Sequence, residues 1–201
     1  MEDWINRLFG GCISPSVERL IELDKFCGPN AHTLGRLADV FENGAVLLAP
    51  YSDQTLNRAF WDLGSNVFFA LGDKSIEWAL RKRLINSFEI LFREVFAIRC
   101  MPALGHLDEL GGPLNSACYM WWDFDCWYST PASALLRVMR AILTINHVAC
   151  QESALHGLGH WLHRQHAGEV ESIIDEFLAH NPHLRIELRE YAKSARTGCV
   201  L

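Results

Sequence analysis

The sequence predicts an all-α protein, and three observations carry that reading. Apolar residues return at three- and four-residue spacing in one segment after another. Ser, Thr or Pro opens several of these segments, and Gly or Asn closes them. Half of the 201 residues are apolar or aromatic, which is enough for one sizeable core. A single domain over residues 1–201 is expected, with possible lobes at 1–100 and 114–201 joined by a loop at 101–113.

Taken in order, residues 14–27 begin on Ser14 and Pro15 and set Val17, Leu20, Ile21 and Leu23 near helical spacing. That helix ends before Gly28-Pro29-Asn30. The next repeats the pattern with Leu34, Leu37, Ala38 and Phe41 and stops at Asn43-Gly44. Ser52 caps a third, which faces Leu56, Ala59, Phe60 and Leu63 inward and closes at Gly64. The longest helical signal, roughly 75–100, carries Leu80, Leu84, Phe88, Leu91, Phe92, Val95 and Phe96 on a face wide enough to be buried on more than one side. Within it, Arg81-Lys82-Arg83 reads as a solvated face.

Pro102, Gly105, Gly111, Gly112 and Pro113 break the pattern and enclose His106, Asp108 and Glu109 in a polar loop, long enough to suggest a functional role. Tyr119, Trp121, Trp122, Phe124, Trp127 and Tyr128 then crowd around Asp123 and Asp125. The plainer reading is an aromatic core plug joining two helical lobes. The sharper one is a binding wall, in which Trp121, Trp122 and Asp123 meet a cationic or aromatic partner.

Thr130-Pro131 starts a helix so apolar that it should be central, and Asn146-His147 offers the turn after it. Two further helices follow. One, ahead of His180, buries Val170, Ile173, Ile174, Phe177 and Leu178. The last, capped by Asn181 and Pro182, faces Leu184, Leu188, Tyr191, Ala192 and Ala195 inward and ends at Gly198.

Between them lies QESALHGLGHWLHRQH, residues 151–166, the stretch with the most chemistry. On a helix, Ala154, Leu155, Leu158 and Leu162 share one side, while Glu152, His156, His160 and His163 fall in a narrow arc nearly opposite. Imidazoles at that spacing suit a divalent metal, with His156, His160 and His163 as ligands and Glu152 one turn upstream. The segment lacks the internal glutamate of H-E-x-x-H, however. Gly157 and Gly159 weaken the helix by about 1 kcal/mol each relative to alanine, which points to close packing against a neighbour. Packing and partner recognition therefore outweigh a metal site.

The four helices over residues 131–197, joined by short turns, resemble HEAT-like or armadillo-like helical repeats, and the pairs at 14–43 and 52–98 extend the likeness. The resemblance implies antiparallel helix pairs forming an α-solenoid or irregular helical bundle whose curved surface binds another macromolecule. Segments LNSACYMWWD and CQESALHGLGHW are similar to those of uncharacterised bacterial proteins.

Charge and cysteine usage narrow the partners. The net charge is −6 and neither half is basic, with 13 acids to 11 bases in residues 1–100 and 11 to 7 in the rest, so nucleic acid is not expected. No apolar run reaches the ~18 residues of a membrane span, and Glu2 and Asp3 stand where a secretory leader would be basic. Seven widely spaced cysteines without a C-x-x-C pair read as reduced cytoplasmic thiols. No catalytic residue set and no cofactor motif is present. The expectation is a non-enzymatic protein–protein interaction module, in one version an immunity or antitoxin-like protein that covers a partner's active site. A metal-dependent hydrolase using His156, His160 and His163, or a small-molecule pocket at 119–128, stands as the alternative.

Overall fold

Trp121 gathers the N-terminal helices around itself. In the computed structural model, which describes residues 2–9, 30–123 and 130–200, its indole lies 5.3–6.1 Å, centre to centre, from the rings of Phe41, Phe60, Phe68, Phe88, Phe92 and Phe96. Most of these contacts are edge-on, the arrangement that the charge distribution of aromatic rings favours. Trp122 stacks on Phe92, and neither tryptophan has any exposed surface. The plug reading describes them; as placed, they cannot be walls that meet a ligand. Phe124, Asp125, Trp127 and Tyr128 lie outside the described residues.

The protein is all-α. Helices α1 (Glu2–Phe9), α2 (Ala31–Glu42), α3 (Gly44–Leu47) and α4 (Asp53–Asn66) lead to a 3-10 turn at Phe68–Leu71. Next come α5 (Trp78–Leu91), a π-helical turn at Phe92–Phe96, and the short α6 (Ala97–Arg99). Beyond the loop lie α7 (Asn115–Tyr119), α8 (Ala132–Leu143), α9 (Val148–Gly157), a second π-helical turn at Leu158–Leu162, α10 (His163–His180) and α11 (Ile186–Arg196). Helix α2 runs against α5, α5 against α8, and α9 against α7, α8 and α11, so one continuous apolar cluster extends from Trp4 to Ala195. No helix among the described residues is long and apolar enough to cross a membrane.

Several ends fall where side-chain chemistry puts them. Asn30 Oδ1 accepts the Thr33 amide at 3.0 Å and Ser52 Oγ accepts that of Thr55, each taking up a donor that the first helical turn leaves without a partner. The chain turns between α8 and α9 at residues 144–147, and Gly198, at φ 73°, closes α11 in the left-handed conformation.

Other expectations are corrected. Helix α4 continues through Gly64 to Asn66, where Val67 beyond it is buried and its amide donates to the Leu63 carbonyl at 2.8 Å. Asn181 and Pro182 precede α11 by several residues; Asn181 instead closes α10, its amide donating to the Phe177 carbonyl at 2.8 Å. Arg81 is buried rather than solvated. Its guanidinium donates to the carbonyls of Leu71 and Ile76 and lies 5.2 Å from the Trp78 ring centre, leaving Lys82 and Arg83 to the exposed face. The predicted helix at 14–27 lies outside the described residues, except that Phe9 precedes it as the end of α1.

Centrality also shifts. Helix α8 is amphipathic, with Arg137 and Arg140 outward, whereas α9 is buried at every residue from Ala149 to Gly157. Gly157 at its end and Gly159 in the π-helical turn that follows explain how this segment fits. A Cβ on Gly157 would stand 2.6 Å from Trp122 Cγ and from Met139 Cε, and one on Gly159 would stand 2.8 Å from the Ala195 backbone in α11. Farther on, Gly168 has nothing within 4 Å. Gly168→Ala is therefore expected to stabilise the protein by up to about 1 kcal/mol through helix propensity. The same change at Gly157 gains that propensity but forces a rigid indole aside, for a net loss of about 2 kcal/mol. Urea unfolding of the two variants checks the opposite signs.

Candidate functional site

Glu152 is 1% exposed, yet it bears a carboxylate. An ion so placed must be compensated, and both of its oxygens are. Oε2 accepts the Gly105 amide at 2.8 Å, while Oε1 accepts the His106 amide at 2.9 Å and the His106 ring Nδ1–H at 2.5 Å. One helical side chain thus fixes the middle of the loop that the glycines and prolines open.

Two more side chains bind that loop down. Asn115 Oδ1 accepts the amides of Met101 and Gly112, and its Nδ2 donates to the Met101 carbonyl, closing the loop's ends on the first residue of α7. Glu109 Oε2 accepts the Leu104 amide, and the same carboxylate is held by the Arg185 guanidinium. Arg185 and, after it, the Leu104 amide pull the Glu109 carboxyl down to about 2 from its ordinary 4.5. Because the folded-state value is the depressed one, the stabilising effect of this contact is present above the ordinary carboxylate range and is lost as pH falls from about 4.5 toward 2.

Behind the loop runs a second polar chain. His156 Nε2 lies 2.8 Å from Asp123 Oδ1, and its Nδ1 lies 2.8 Å from the Tyr191 hydroxyl, so both ring nitrogens are hydrogen-bonded. The Tyr191 oxygen in turn lies 3.3 Å from the Tyr119 hydroxyl. Burial pushes the Tyr191 phenol well above its ordinary range and raises that of Tyr119, so both remain protonated donors at neutral pH. The His106 ring stacks on Tyr191 at 4.2 Å, joining the two carboxylate–histidine pairs around one tyrosine.

In front of these groups opens a cleft of about 330 Å³, lined by the loop, α7 and α9. Its charged lining residues are Asp108, Glu109 and Glu152, all acids, and Tyr119 contributes an aromatic wall. Gly105 crosses that ring so closely that a Cβ there would stand 3.0 Å from Tyr119 Cγ. Glu109 and Glu152 are committed to the loop. The Asp108 amide donates to the Gly105 carbonyl at 3.0 Å, but its carboxylate makes no hydrogen bond or ion pair among the described residues; the residue sits at φ 53°, a left-handed backbone rare outside glycine, asparagine and aspartate. The surrounding structure holds the strain in place.

The expected histidine face is thus divided. Glu152 and His156 share a face, but it lies between helices, not on an open surface. His160 is exposed and stacks on His156 at 5.5 Å, as i and i+4 neighbours do; the His163 side chain lies outside the described residues. Coordination by His156 is disfavoured because each of its nitrogens is already bonded, to Tyr191 and to Asp123. Asp123 belongs to the site through His156, whereas Trp121 and Trp122 belong to the core. Sequence reasoning missed Tyr191 and the loop's attachment to Glu152. The available signal was a tyrosine at an inward position, since its hydroxyl needs a partner. Compared with known proteins, the chain matches no family model, no curated protein and no solved structure.

Proposed function

We propose that the protein is a non-enzymatic interaction module whose cleft receives a lysine or arginine side chain of a partner protein. The observation that carries this reading is Asp108, an unpaired carboxylate fixed by its backbone at an all-acidic cleft. The rim supports a protein as the source of the cation. Leu107 and Leu110 flank Asp108 and Glu109 and are 46% and 89% exposed, Met101 lies against Gly112, and Ile186 follows Arg185. Exposed apolar residues around a charged recess form an interface in which a basic anchor is seated and water is excluded around it. In this reading the paired helices act as the scaffold of a HEAT-like surface. An immunity or antitoxin-like protein that covers a basic residue in a partner's active site has this design.

Neither polar chain needs a reaction to explain it. Glu152 and His106 hold the loop, while Asp123, His156 and Tyr191 hold Tyr119, so the groups facing the cleft are pre-positioned and lose little freedom on binding.

Titration of the 15N-labelled protein with N-acetyl-arginine amide tests the proposal. The expected result is weak, salt-sensitive binding that shifts the amide signals of Gly111, Gly112 and Ala149. N-acetyl-glutamate should shift none of them. Equal responses to the two probes would refute a cation-selective cleft.

A further inference from the structure

A second cavity, of about 440 Å³, opens between α8, α9 and α10 and shares no lining residue with the acidic cleft. Its volume suits a small-molecule ligand. Leu143, Ile173 and Phe177, all buried, give it an apolar wall.

Gln151 stands beside that wall and is only 4% exposed. A carboxamide can donate two hydrogen bonds and accept two. This one has a single side-chain bond among the described residues: Nε2 donates to the Leu143 carbonyl across 3.4 Å, longer than the usual range. Its Oε1 and its second N–H are unspent. Buried polar groups ordinarily find partners, because leaving them without one costs free energy. An unspent amide at the wall of a cavity is therefore placed to meet something that enters it.

The remaining polar groups narrow what that can be. Thr144 Oγ1, His180 Nδ1 and Asn181 Nδ2 donate to the carbonyls of Ala141, Glu176 and Phe177 at 2.7–2.8 Å, so these donors are committed to helix ends. Arg140 is held by Glu176 across the rim, and the lining has no other arginine or lysine. An anionic ligand thus finds no unpaired guanidinium or ammonium there.

We propose that this cavity binds an uncharged, planar nitrogen heterocycle that presents an N–H donor beside a ring-nitrogen acceptor, the edge of an aminopurine base or its nucleoside.

The match follows from the amide. Its oxygen and its N–H lie side by side in one plane, so they pair with a donor and an acceptor that are also side by side, as when glutamine reads adenine. A flat ring in that position buries its faces against Leu143, Ile173 and Phe177, where a polyol would lose its hydration without replacement. A ring lacking the amino group leaves Oε1 unpaired and is rejected for that reason. A phosphate adds charge without adding a partner.

Titration of the 15N-labelled, full-length protein with adenosine, with purine riboside, which lacks the amino group, and with AMP tests the proposal. Adenosine should shift the Gln151 side-chain NH2 signals and the amides of Leu143, Thr144 and Asn146, and leave Gly111 and Gly112 in place. Purine riboside should bind about tenfold more weakly, and AMP no more tightly than adenosine. Gln151→Leu keeps the site filled and should lose the adenosine response with its urea-unfolding midpoint retained. The comparison of the two nucleosides uses wild-type protein and decides the matter even if that variant does not fold. Equal affinity for adenosine and purine riboside, tighter binding of AMP, no response to millimolar adenosine, or a folded Gln151→Leu that binds as the wild type does would each overturn the inference. None of these readouts involves the acidic cleft, so the result is independent of the proposed binding of a basic side chain.

Discussion

Trp121→Ala is expected to lower the stability of the protein by about 4 kcal/mol, the upper range for emptying a well-packed aromatic site. Six phenylalanines from α2, α4, α5 and the turns beside them converge on this one indole. Its removal leaves rings that cannot collapse onto one another without moving several helices. In a chain of this size the loss corresponds to a fall in Tm on the order of 10 °C. Trp121→Phe should cost markedly less. It retains most of the ring volume and removes an indole N–H that is buried without an acceptor among the described residues, so part of the packing loss is offset. Calorimetry or urea unfolding separates the two variants. Equal losses would mean that ring volume at the hub is not what matters.

The second large effect is expected at Glu152. Glu152→Gln conserves shape but turns one acceptor into a donor that faces backbone N–H groups. At least one of the Gly105 and His106 contacts must break, leaving a desolvated donor unmatched. A loss of about 3 kcal/mol is expected from breaking so buried an arrangement. Hydrogen exchange at the Gly105 and His106 amides should accelerate well beyond the global change, because the loop opens locally before the core does. Unchanged protection at these amides would show that Asn115 and Glu109 hold the loop without Glu152.

The sequence made the helices legible wherever local chemistry decides their limits. Ser52, Pro131 and Gly198 mark their ends through capping, a fixed φ and a left-handed turn, effects confined to a few neighbouring residues. Gly157 and Gly159 could likewise be read as sites of close approach, although only the fold shows that Gly157 meets the Trp122 and Met139 side chains and Gly159 the backbone at Ala195. Less was legible where partners are far apart in the chain. A π-helical turn at 158–162 has no residue signature, so a uniform helical wheel drifts from the true faces beyond Gly157.

Burial was the harder property to read. Glu152, His156 and Arg81 carry the residue types of a surface, and their polar heads go inward because distant groups meet them: the 105–106 amides, Asp123 with Tyr191, and the 71 and 76 carbonyls. Nothing near residue 152 announces that residues 105 and 106 will donate to it. Asp108 was visible as part of a polar loop, but its left-handed backbone results from that loop being pinned on both sides.

Calorimetric titration of Asp108→Gly with a lysine- and arginine-bearing peptide tests the central claim most directly, with its unfolding measured alongside. Glycine adopts a positive φ freely, so relief of strain should leave the variant as stable as the wild type or up to about 1 kcal/mol more stable. Loss of the carboxylate should weaken binding at least fivefold, the effect of roughly one charged contact. A folded variant that binds the peptide as tightly as the wild type would contradict the account, because the cleft would then recognise its partner without the one carboxylate held out to meet it.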